Sequence, residues 1–167
     1  MGGSSLFEGK FLKVTSKYGW EYVERSNTTG VIGILAITED DELLLVEQFR
    51  IPVDNRTIEI PAGLVGDNLE GQSPEEAVKT ELEEETGYQA KSLTKIMKTP
   101  TSSGLTSEKI TLFKAEGLTK CTNPRQDPAE DIVLHKVHLE ILDEWLKTKA
   151  EQGYLVDSKI YTCLYFL

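Results

Sequence analysis

The sequence predicts a mixed sheet with helices packed on it, of the α+β or α/β class. Three observations carry this expectation. Strand-like segments lie both before and after one strongly specified helix. Two more helical stretches close the chain. The segment Val31 to Thr38 is apolar at nearly every position, as a strand buried on both faces requires. The 167 residues suit a single core, and 39% hydrophobic residues with 13 glycines are enough to build it.

The elements follow in order. Met1 to Ser5 has neither a basic region nor an apolar core, so it reads as a flexible start rather than a signal peptide. Residues 7–25 alternate as strands, through Phe11–Val14, a turn at Lys17-Tyr18-Gly19, and Trp20–Arg25. Ser26 to Gly30 is a loop. After Val31–Thr38, the acidic turn Glu39-Asp40-Asp41 leads into a strand at Leu43–Val46. Thr57–Ile60 is a short strand that stops at Pro61, followed by a glycine-bearing turn. A helix covers Pro74 to Thr86. Further strands are expected near 93–98, 109–115 and 132–137. Ile141, Leu142, Trp145, Leu146 and Ala150 form a helical stripe, with Trp145 in the core and Gly153 closing the helix. Asp157-Ser158 caps a last helix that runs to Leu167. His135 and His138 are three apart on a strand and point to opposite faces, so they are not expected to share a metal.

Charge narrows the function. Lys and Arg number 18 against 28 Asp and Glu, a net charge of −10. Without a basic cluster, nucleic acid is not the expected partner. No stretch approaches the roughly 18 apolar residues that cross a bilayer, so no membrane association is expected. Cys121 and Cys163 have no CxxC spacing and suit reduced thiols in a cytoplasmic protein.

The most informative segment is Ser73 to Gly87. Ser73 is a natural N-cap, Pro74 suits the first helical position, Glu76 completes a capping box, and Gly87 suits the left-handed residue past the end. The second half works against stability. Glu81, Glu83, Glu84 and Glu85 crowd the end where the helix dipole disfavours negative charge. Glu81 repels both Glu84 and Glu85, each by a few tenths of a kcal/mol. Carboxylates at 81, 84 and 85 share one patch and suit a hard divalent cation such as Mg²⁺. A solvated acidic helix face would carry the same pattern.

The segment Pro61-Ala62-Gly63-Leu64 followed by Glu81-Leu82-Glu83-Glu84-Glu85-Thr86-Gly87-Tyr88 resembles the Nudix box, in which a loop–helix unit ends in Arg-Glu-U-x-Glu-Glu-x-Gly-U, where U is a bulky apolar residue. Three positions depart from it. Thr80 replaces the box Arg, whose work would fall to Arg50, Arg56 or Lys109. Gln72 replaces the upstream Glu, with Glu70 as a stand-in. The box Gly is Gly66, or Gly63 with a three-residue insertion.

The resemblance extends to the ADP-ribose and nucleoside diphosphate sugar pyrophosphatase branch through Gln48-Phe49-Arg50, Glu59-Ile60-Pro61-Ala62-Gly63, Trp20-Glu21-x-Val23-x-Arg25 and Ser102 to Glu108. The last segment carries Ser103 where that branch has a proline associated with ADP-ribose. The resemblance implies an α/β/α sandwich for residues 30–167, with an N-terminal antiparallel unit, residues 1–29, that dimerises. It implies that Ala62, Glu81, Glu84 and Glu85 hold Mg²⁺ or Mn²⁺, and that Trp20, Glu21, Arg25, Arg50 and Glu108 bind substrate. Glu81, Glu84 and Glu130 would be catalytic, with Glu130 as general base. Hydrolysis of a nucleoside diphosphate sugar to nucleoside monophosphate and sugar phosphate is the implied activity. The alternatives are a degenerate domain that binds a nucleotide without cleaving it, and hydrolysis of another nucleotide such as GDP-mannose or a dinucleoside polyphosphate.

Overall fold

A computed structural model describes residues 3–26, 28–66, 71–122 and 131–167. It begins with β1 (Ser4–Glu8), β2 (Leu12–Lys17) and β3 (Trp20–Arg25), which pair as an antiparallel sheet in that order. The chain continues through β4 (Gly30–Ala36), β5 (Glu42–Arg50), β6 (Asn55–Glu59), β7 (Ala62–Val65) and α1 (Pro74–Thr86). It then forms β8 (Tyr88–Pro100), β9 (Lys109–Lys120), β10 (Val133–His138), α2 (Leu142–Glu151), β11 (Leu155–Val156) and α3 (Ser158–Leu164). Two four-stranded mixed sheets form the centre, in the orders β7-β4-β9-β8 and β10-β5-β6-β11. The parallel pairs are β4 with β9 and β6 with β11.

Alternation along the strands sorts side chains into two cores. Ile32, Ile34 and Ala36 of β4 meet Leu44, Phe113 and Ala115 on one face, where Ala77, Val78 and Leu82 of α1 cover them. Leu35, Leu43, Leu45, Ile58 and Leu112 face the other way, against Leu142 and Leu146 of α2 and Ile160 and Cys163 of α3. Each fully buried Leu, Ile or Val contributes about 1.5–3 kcal/mol of hydrophobic stabilisation. The apolar run of β4 is thus explained by burial on both faces, and the expected layering of sheet between helices is present.

Several elements differ from the expectations. Ser4 and Ser5 belong to β1 rather than to a flexible start, because they pair with Ser16 and Thr15 of β2. The glycine-bearing turn after Pro61 is strand β7, paired with β4 from Gly33–Ala62 to Gly30–Val65. The strands expected at 93–98 and 109–115 are an inner stretch and the first part of a longer pair, Tyr88–Pro100 and Lys109–Lys120. The last helix ends at Leu164, three residues short of the expected end. Strand β11, of two residues, carries too short a pattern to read from sequence.

β3 also docks on the segment before β9. Val23 N donates to Leu105 O at 2.9 Å, Ser107 N donates to Val23 O at 3.1 Å, and the Thr106 hydroxyl donates to Val23 O at 2.9 Å. This contact brings the end of the N-terminal sheet beside the cleft described next.

Candidate active site

Helix α1 has the ends its sequence specifies. Ser73 Oγ accepts from Glu76 N at 3.2 Å, and Ser73 N donates to Glu76 Oε2 at 2.8 Å, closing the capping box. Gly87 adopts φ 70° and donates to Glu83 O at 2.8 Å. A left-handed residue at this point favours glycine.

The acidic half of the helix lies against β7. Glu85, buried at 7% exposure, accepts a hydrogen bond from Ala62 N at 2.9 Å. Glu81 packs on Gly63 so closely that a Cβ at Gly63 would overlap its Cγ, Cδ and Oε1. Two glutamates that are unfavourable for an isolated helix are therefore seated on one strand backbone. The cleft they border has a volume of about 290 Å³, and Arg25, Gln48 and Arg50 also line it. Glu84 is half-buried on the same helix and is not among the lining residues.

Arg50 of β5 and Glu59 of β6 meet through their side chains. Arg50 Nε donates to Glu59 Oε1 at 2.7 Å and Nη2 to Oε2 at 2.9 Å, a bidentate pair. Thr57 Oγ1 also donates to Glu59. Burial pushes the Glu59 carboxyl up, but the bonds from Arg50 and Thr57 outweigh it and hold the pKa below the usual carboxylate value. The bond to Glu59 in turn raises Arg50, and the nearby charge of Glu85 adds to this. A guanidinium has five N–H donors, so the Glu59 pair leaves three.

Of the three cations that could replace the missing box Arg, Arg50 lines the cleft with Glu81 and Glu85. Arg56 is held on the other face of the sheet, with Nε to Glu47 Oε1 at 2.6 Å and Nη1 to Asp131 Oδ2 at 2.8 Å. Lys109 lines a neighbouring cavity.

The other candidates are spread out. Arg25 borders the cleft and is hydrogen-bonded to Glu108. Trp20 begins the same strand, about 17 Å from Arg25 at the usual rise per residue. It is 67% exposed and does not line the cleft of its own chain, and Glu21 is likewise exposed. Glu70 and Glu130 lie outside the described residues. Gln72 accepts from Gly66 N at 3.1 Å and so ties off the loop before the helix. His135 Nε2 is 2.8 Å from Glu47 Oε2, and its ring centroid is 5.1 Å from that of Trp145, which packs against the core. His138 Nδ1 accepts from Glu140 N at 3.2 Å.

The donor set fits a hard divalent cation in part. Among the described residues no three acidic, imidazole or thiol side chains are arranged to hold a metal ion by themselves. Carboxylates on one strand backbone nevertheless suit Mg²⁺, which takes one or two protein carboxylates and completes its shell with water and substrate phosphate.

Sequence reasoning assigned no role to Gln48 or Glu59, and offered Gly63 only as an alternative box Gly. All three lie in the quoted Gln48-Phe49-Arg50 and Glu59 to Gly63 segments. The period-two alternation that puts Gln48 and Arg50 on the face of Leu44 is the signal that could have found Gln48.

The model of the NUDIX domain matches residues 27–155. An ADP-ribose pyrophosphatase of Bacillus subtilis (strain 168) is 40% identical over 112 residues, covering 66% of this chain and 59% of that protein. This chain thus spans less than two thirds of that relative. A methanol dehydrogenase activator of Bacillus methanolicus is 32% identical over 139 residues, covering 83% of this chain and 71% of the other. The crystal structure of an ADP compounds hydrolase shares the fold, with a TM-score of 0.69 at 21% identity over 88% of this chain and 81% of that one.

Proposed function

The chain belongs to the Nudix family, and from that premise we propose that it hydrolyses the pyrophosphate bond of a nucleoside diphosphate sugar of the ADP-ribose type. The products are a nucleoside monophosphate and a sugar phosphate. The observation that carries the reading is the single cleft on which Glu81, Glu85, the Ala62-Gly63 backbone, Arg25 and Arg50 meet. The similarity to the ADP-ribose pyrophosphatase of Bacillus subtilis supports the substrate class.

In the proposed site, Glu81, Glu84, Glu85 and the Ala62 carbonyl would hold Mg²⁺ or Mn²⁺, which would neutralise the diphosphate and lower the pKa of a water. The N–H groups of Arg50 that do not bond Glu59 orient the diphosphate, and Glu59 fixes the guanidinium from behind. Arg25 and Glu108 contact the substrate from the side of β3. Glu130 takes a proton from the attacking water, a role typically worth 10²–10⁴-fold. The water oxygen bonds to one phosphorus as the bond to the bridging oxygen breaks, and that oxygen leaves with its electron pair. Arg50 takes over the neutralising work of the Arg that Thr80 replaces.

Residues 1–29 are proposed as a dimerising unit preceding a Nudix domain at 30–167. Leu6, Phe7, Phe11, Leu12 and Trp20 are exposed in the N-terminal unit and support that reading. A second copy would then bring Trp20 and Glu21 to the cleft. A monomeric mass in solution would remove this part. No helix among the described residues is long and apolar enough to cross a membrane. Free Cys121 and Cys163 support the cytoplasm as the compartment.

The test is a panel of nucleoside diphosphate sugars with Mg²⁺ or Mn²⁺, with products identified by mass. Monophosphate plus sugar phosphate, abolished by chelator, is the expected result. Thr80 and the activator name of the Bacillus methanolicus relative favour a second reading, a domain that binds a nucleotide without cleaving it. Ligand-induced thermal stabilisation with no turnover would establish that reading instead.

A further inference from the structure

Arg25 and Val31 line two cavities at once. One is the cleft, and the other is a space of about 220 Å³ between the end of β3, the start of β4 and the mouth of the β8–β9 pair. In a chain of net charge −10, this second cavity is bordered by three cations, Arg25, Lys98 and Lys109, against one carboxylate, Glu108. Glu108 is bonded to Arg25, so the lysines carry the uncompensated charge. Among the described residues neither lysine makes an ion pair.

Strand register sets the spacing of the two lysines. Lys98 stands opposite Thr111, and Lys109 is two residues before Thr111 on the same strand. The two are therefore diagonal neighbours on one face, roughly 7–8 Å apart. Two ammonium groups on flexible stems at that separation can reach one phosphoryl group from opposite sides with charge-assisted hydrogen bonds.

We propose that this cavity is a second anion subsite, continuous with the cleft through Arg25, that takes a phosphoryl group carried by the substrate beyond its scissile diphosphate. The inference rests on the reading of the cleft as a diphosphate site. The extra phosphate has two chemical sources: a phosphorylated ribose on the nucleoside diphosphate sugar, or a longer polyphosphate bridge between two nucleosides.

Matched pairs test it. 2′-Phospho-ADP-ribose is compared with ADP-ribose, and diadenosine tetraphosphate with diadenosine diphosphate, by kcat/KM in the wild type and in the Lys98→Gln/Lys109→Gln double variant. Both lysines are exposed, so the variant keeps the fold, and its melting temperature verifies this. The wild type should prefer the more phosphorylated member of one pair by roughly five- to tenfold, the scale of two partly exposed charge contacts. The pair that shows the preference identifies the source. In the variant the ratio should fall to near unity. Equal rates within both pairs, or a preference that survives in the variant, would overturn the subsite while hydrolysis itself stands. If no member is cleaved, equilibrium binding of the same pairs with EDTA decides. Tighter binding of the phosphorylated member, lost in the variant, would keep the subsite and reject hydrolysis; equal binding would reject the subsite.

Discussion

Gly63→Ala adds one methyl group to the wall of the cleft. An ideal Cβ at Gly63 overlaps Cγ, Cδ and Oε1 of Glu81, and real contacts essentially never fall under 3.0 Å, so the carboxylate must retreat by about 1 Å. The displaced atoms are the far end of a flexible side chain, and leaving a rotamer well costs about 0.5–1.5 kcal/mol. Gly63 is not in the left-handed region, so alanine adopts its backbone without strain and contributes about 0.4–1 kcal/mol by restricting the unfolded chain. These terms nearly cancel, and the melting temperature should move by no more than about 4 °C. Turnover should fall by about 10²-fold, the usual consequence of a 1 Å misplacement. The assay is kcat on the best substrate of the panel, beside calorimetric melting of the same protein. In a Glu81→Gln background, Gly63→Ala should add little, because the group it displaces no longer works. A folded Gly63→Ala protein with near wild-type kcat would refute the link between Gly63, the Glu81 position and catalysis. A large fall in melting temperature would show that the residue is structural.

Other predictions follow from the same geometry. Glu81→Gln should lower kcat by at least about 10²-fold with little change in melting temperature, read by the same two assays. Arg50→Ala leaves Glu59 buried without its bidentate partner and should cost about 1–3 kcal/mol, since the guanidinium is partly exposed; urea unfolding at neutral pH measures it. The Glu59 pKa is lowered on folding, so its stabilisation is fully present above the ordinary value of 4.5 and is lost as pH falls below that through the depressed folded value. Wild-type stability should therefore decline below pH 4.5 more steeply than that of Arg50→Ala, in denaturant titrations at a series of pH values. Cys163 is fully buried and burial pushes its thiol to about 11, whereas Cys121 is partly exposed. A thiol reagent should modify Cys121 first, and Cys163 at the rate of unfolding; equal rates in mass spectra would contradict the packing of α3.

Legibility in the sequence followed the range of the forces involved. The ends of α1 are set by Ser73, Glu76 and Gly87, all within a few residues of the bonds they make, and the helix runs over Pro74–Thr86 as its sequence indicates. β4 was legible for a similar reason, since burial on both faces demands an apolar residue at each position. β7 was not. It is four residues long, follows a proline and contains a glycine, and only its pairing with β4 makes it a strand. β1 has no apolar alternation and exists as a strand through β2. The polar positions of β8, such as Lys95 and Lys98, hid a thirteen-residue strand whose partner is β9.

The site divides in the same way. The sequence by itself determined the acidic helix, its cap, the excess of negative charge and the family-like spacing around Glu81, Glu84 and Glu85, because these are statements about neighbours along the chain. Tertiary structure decided that Glu81 packs on Gly63 and that Glu85 takes the Ala62 N–H. It also turned the Arg50 fork onto Glu59, sent Arg56 to the opposite face, and brought Arg25 to Glu108, 83 residues away. Such contacts depend on sheet order and strand register. A change of one residue in register would send each of these side chains to the other face of its strand.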